Sequence, residues 1–91
     1  MGRNGSNKHD AAMRSVWMAT AACCTALHDA GMQPEGLAEV MPDAMSALAN
    51  EVIGLHYTDA FKFVDVLPGD VIRLGQDYAG RLLEMGKAVT A

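Results

Sequence analysis

Large rings are scarce in this chain, which has one Trp, two Tyr and two Phe among its 91 residues. That scarcity limits the apolar area any fold can bury. Alanine, with 15 copies, swells the apolar fraction to 51% while contributing little area per residue. A chain of this length makes one domain near the lower limit for a self-sufficient core. A homodimer that shares its core between chains is therefore an expected alternative to a monomer.

Cysteine is nearly absent, and the two copies, Cys23 and Cys24, are adjacent. That excludes a disulfide framework and leaves no Cys-x-x-Cys pair for a structural zinc site. Reduced thiols in the cytoplasm are the simplest expectation. Basic blocks are also missing: seven Lys and Arg are spread along a chain of net charge −4. Nucleic-acid binders show clustered cations, so nucleic acid is an unfavoured partner. No apolar run reaches the ~18 residues of a membrane span, because Arg14 and His28-Asp29 bracket the longest one. The start, MGRNGSNKHD, has no hydrophobic segment that would read as a secretion signal.

What the chain does have is helical periodicity. In 13–27 (MRSVWMATAACCTAL), Met13, Val16, Thr20, Cys23 and Leu27 recur at three- and four-residue steps. Trp17, Ala21 and Cys24 form the adjacent row, and alanines fill much of the rest. A helix apolar almost all round is usually buried on several sides. This stretch is expected to be the central helix, with Trp17 as the largest contributor to the core.

The predicted fold is all-α, a small bundle of three principal helices at 8–30, 42–67 and 70–89, with a short helix at 34–41. Residues 1–6 are expected to be a disordered arm ahead of a single helical domain over 7–91. Gly31 is placed at the left-handed C′ position of the first helix. Pro34 and Pro42 each suit a first helical turn. The helix 42–67 is expected to bend or break near 57. The alternation in FKFVDVL (61–67) also fits a strand, but a lone strand lacks a partner in this sequence. In the last helix, Val71, Leu74, Tyr78, Leu82, Met85 and Val89 form a regular apolar row. Gly75 and Ala79 beside it suit close approach to the alanine face of the first helix.

Chemistry-bearing residues are few. Cys24 and His28, four apart, share a helical face, and with His56 they are the candidates for a metal-binding or enzymatic alternative. A zinc site needs three or four ligands, and a reactive thiolate needs an electropositive, exposed setting that 23–24 lacks. No metal, cofactor or catalytic residue is therefore assigned. A small dimeric DNA-binding transcriptional regulator would use Arg73, Gln76 and Arg81, but Asp70 and Asp77 flank them. The remaining signal is methionine, seven in all. Met packs adaptably and is over-used at protein-binding surfaces. The leading expectation is a non-enzymatic protein–protein interaction module, a regulator, inhibitor or accessory subunit of bacterial or phage type. Its expected partner contacts are Met32, Met41 and the corner formed by Tyr57, Asp59, Phe61 and Phe63.

Overall fold

The computed structural model describes the backbone of residues 3–57 and 62–90 and the side chains of 8–57 and 62–86. The fold is all-α. Helix α1 spans Arg3–Asp29, α2 spans Pro34–His56 and α3 spans Pro68–Thr90, with no strand among the described residues. The molecule extends 53 × 23 × 20 Å. Helix α1 packs against both others, whereas α2 and α3 meet far less.

Helix α1 begins earlier than the residue types suggest. Residues 3–6, expected in a disordered arm, belong to its first turns, and Met1 and Gly2 lie outside the described residues. Asn4, Gly5 and Ser6 are weak helix formers, but extending an existing helix needs only one hydrogen bond per residue fixed. The other end of α1 is a Schellman turn. Gly31 has φ +101°, its N–H donates to the His28 carbonyl at 2.9 Å, and the Met32 N–H donates to the Leu27 carbonyl at 3.0 Å. Helix α2 starts three residues later, with Pro34 at its first position.

Two boundaries expected further along are corrected. The short helix 34–41 and the start of the next one are a single helix, with Pro42 inside it. Proline removes one backbone hydrogen bond. The apolar row Leu37, Met41, Ala44, Leu48, Val52 nevertheless keeps its phase across Pro42, with Ala44, Leu48 and Val52 buried. Packing of that row against α1 outweighs the lost bond. The helix then ends at His56 instead of bending and continuing to 67. Residues 62–67 are extended, and the Val64 N–H donates to the His56 carbonyl at 2.7 Å. The alternation in that stretch marked an extended segment after all; its partner is the end of α2.

The core consists of Val16, Ala19, Cys23 and Leu27 from α1, Ala44, Leu48 and Val52 from α2, and Val71 and Ala79 from α3. Three of these nine are alanine, as the composition implies. The α1–α3 seam is the tightest part. A Cβ added at Gly75 would overlap the Ala19 carbonyl oxygen and lie 3.1 Å from the Ala22 Cβ. Glycine is thus required at 75, and the expected match between the alanine face of α1 and the Gly75–Ala79 face of α3 is what the fold contains. Trp17 is the exception among the expected core residues, with 59% of its surface exposed.

Candidate functional site

The most organised polar feature is built around His56, the last residue of α2, which is only 2% exposed. Its Nδ1 lies 2.8 Å from the Val64 carbonyl oxygen, and its Nε2 lies 2.8 Å from Ser15 Oγ in the middle of α1. A carbonyl only accepts, so Nδ1 carries the proton and donates to Val64; in the neutral ring Nε2 then accepts from the Ser15 hydroxyl. Phe63 stacks on the imidazole at 4.9 Å, and Tyr57 meets Phe63 edge-on at 5.5 Å. One side chain therefore ties α1, α2 and the 62–67 segment together.

Ser15 beside His56 has the nucleophile–base spacing of hydrolytic enzymes, with Val64 as the group that orients the base. A cavity of 240 Å³ adjoins the pair, lined also by Arg14, Met18, Asp65 and Val71. Ser15 sits in mid-helix, where backbone N–H groups are committed to carbonyls four residues earlier. The amides around Ser15 are therefore committed to the helix, and the Ser15–His56–Val64 bonds join α1 to the end of α2 and the segment after it.

A second feature is apolar. The N-terminal half of α1 and the C-terminal half of α2 leave a groove of about 590 Å³ between them. Ala12, Met13 and Val16 form one wall, while Met45, Ala49 and Ile53 form the other. Lys8, His9 and Tyr57 close the end nearest the α1 N-terminus, and Pro42 and Ser46 extend the α2 wall the other way. Large apolar side chains stand exposed on or beside it: Met13, Trp17, Ile53 and Tyr57. Trp17 is one helical turn beyond Met13 on the same shoulder. On α2, Pro42, Ser46, Ala49 and Ile53 form a row at three- and four-residue steps. Glu35 and Glu39, both exposed, continue that row toward the α2 N-terminus.

The expected contact residues divide. Tyr57 and Phe63 come together at the His56 corner, with Tyr57 also lining the groove. Met32 and Met41 are half-buried and pack against the core, filling space between alanines. Asp59 and Phe61 lie outside the described residues. The exposure of Trp17 and the Ser15–His56 pair were not anticipated. The sign of the latter was helical spacing, since Ser15 lies one turn before buried Ala19.

The residues of the alternative readings stand as follows among the described residues. Cys24 is half-buried, and His28 is exposed with its Nδ1 3.8 Å from Asp29. Among the described residues no three His, Cys, Asp or Glu side chains converge on a point where a metal could sit. Cys23 is buried and its thiol is pushed up from the ordinary value, chiefly by burial and secondarily by Cys24 beside it. Arg73 and Gln76 are exposed, whereas Arg81 lies 3.7 Å from Glu51 of α2 and over the Tyr78 ring. The connection from α2 to α3 runs from 57 to 67, much longer than the ~3–4-residue turn of a helix-turn-helix. Among the described residues no helix is long and apolar enough to cross a membrane. Comparison with protein-family models, with curated proteins and with solved structures finds no match to this chain.

Proposed function

We propose that this protein is a small non-enzymatic interaction module whose α1–α2 groove receives the apolar face of an amphipathic helix from a protein partner. The observation that carries this reading is the groove itself, largely apolar along both walls and lined by exposed Met13, Ile53 and Tyr57, with exposed Trp17 one helical turn beyond Met13. Scattered exposed apolar residues need no explanation, but a contiguous row beside a cleft marks an interaction surface. The α2 wall from Pro42 to Tyr57 is about 22 Å long at 1.5 Å per residue, and the α1 wall from Lys8 to Val16 about 12 Å, so at least two helical turns are flanked on both sides. Two antiparallel helices with an unfilled seam suit a third laid along it, the helix-in-groove mode of recognition. Ser15 and His56 spend their polar atoms on each other and on Val64, which supports a structural rather than a catalytic role for them. The two free thiols fit a reducing cytoplasm.

The reading is tested by cross-linked affinity capture from the native host with wild-type protein and with Ala49→Arg and Ile53→Asp. A partner retained by the wild type and lost from both variants, at unchanged thermal stability, supports it. Equal capture by all three removes it.

A further inference from the structure

Resting on that reading of the groove, we infer that the helical surface it receives is the same α1–α2 face of a second copy of this chain, related by a two-fold axis near Trp17. Helices α1 and α2 run antiparallel through the turn at 30–33, so Lys8 and His9 stand at one end of the face. Glu35 and Glu39 stand at the other, on the row that lines the groove. Lys8 at one end, with Asp10 beside it on the Trp17 row, and Glu39 at the other make the Lys8–Glu39 pairing self-complementary under a two-fold rotation, the symmetry of an isologous dimer. Counting from the turn, Trp17 lies about midway between Lys8 and the level of Glu39. Rotation about an axis at Trp17 then lays Lys8 of each copy against Glu39 of the other.

Size and composition agree. Two helices side by side present a face about 20 Å wide and, from Glu39 to Tyr57, about 27 Å long. That is ~500 Å² in projection, and side-chain relief brings it toward the ~800 Å² of accessible surface that each partner of a standard interface buries. The chain's single tryptophan, 59% exposed in the monomer, would be covered at the centre, where aromatic anchors concentrate binding energy. The dimer also supplies apolar burial that an alanine-rich core of this size lacks.

The experiment is sedimentation analysis over a dilution series, read together with Trp17 fluorescence and iodide quenching. The expected result is a species of twice the 9.7 kDa chain mass that dissociates on dilution as Trp17 emission shifts to the red and becomes quenchable. Trp17→Asp is expected to be folded by circular dichroism and monomeric. Lys8→Glu and Glu39→Lys are each expected to weaken the dimer about tenfold, since each places two like-charge pairs in the interface. The double variant restores it to within about threefold. A wild type that stays monomeric with Trp17 fully quenchable overturns the second-copy inference. A dimer indifferent to Trp17→Asp, or charge reversals that do not rescue each other, also overturns it. In each of those cases the groove reading stands or falls separately, on capture by the Ala49→Arg and Ile53→Asp variants.

Discussion

The two seams of α1 differ as much as two surfaces of one helix can. Toward α3 it is faced with small residues, and Gly75 brings the backbones so close that no side chain fits between Ala19 and α3. Toward α2 the pairing is tight around Leu27 and Leu48 but opens into a groove beyond Val16. The first seam is saturated and serves stability. The second is left unfilled at one end, and its unfilled end is where large apolar side chains remain in water. Small residues complete an interface within the chain, while the large ones that the chain does not cover are those that the proposed partner would bury.

The α1–α3 seam is the more sensitive of the two to substitution. Gly75→Ala forces a methyl group into a backbone carbonyl that cannot swing away, and overpacking of this kind is expected to cost about 3 kcal/mol. Thermal denaturation by circular dichroism should show a fall of more than ~10 °C. His56→Ala is expected to cost about 2 kcal/mol, because it strands the Val64 carbonyl and the Ser15 hydroxyl and leaves a hole. Urea denaturation checks it, and His56→Asn, which can restore part of the bonding, should recover part of the loss. Gly31→Ala, at a φ of +101°, is expected to cost about 1 kcal/mol by the same measurement.

Cys23 gives a pH-dependent contribution of definite sign. Its thiol is pushed up in the folded state, so above the ordinary thiol range the unfolded chain loses a proton that the folded chain keeps. Stability therefore falls as pH rises through and beyond about 9. Cys23→Ala should flatten that alkaline limb of a stability–pH profile, and Cys24 should react with a thiol reagent before Cys23 does. The smallest effect is that of Ile53→Asp, on the groove, which is expected to change the stability of the monomer, measured at high dilution, by less than ~0.5 kcal/mol. A large loss there would show that the groove wall belongs to the core.

The three helices were legible because their apolar rows repeat with a clean period, and Gly31 and the Gly75–Ala79 face were readable for stereochemical reasons. Pro42 misled because a local breaker was weighed against local propensity, whereas the in-phase row from Leu37 to Val52 decides the matter through packing. The end of α2 misled because the partner of 62–67 is a helix terminus, which no strand pattern reveals. The groove was half legible. Tyr57 was recognised at the corner, but Trp17 was assigned to the core because α1 is apolar almost all round. In such a helix the sequence does not say which side stays dry. Met32 and Met41 illustrate the same ambiguity in reverse, as adaptable side chains that here fill gaps between alanines.

The order of the helices has a kinetic consequence. The closest mate of α1, α3, is made after α2, and about fifty residues separate the end of α1 from the Gly75–Ala79 contact. At about 5–20 residues per second, synthesis leaves the alanine face of α1 waiting roughly 3–10 s for its cover. During that interval the nascent chain has only α2 to lean on, through the seam that does not fully close. A chaperone or a second nascent copy that meets this protein in that interval therefore meets the alanine face of α1 still uncovered.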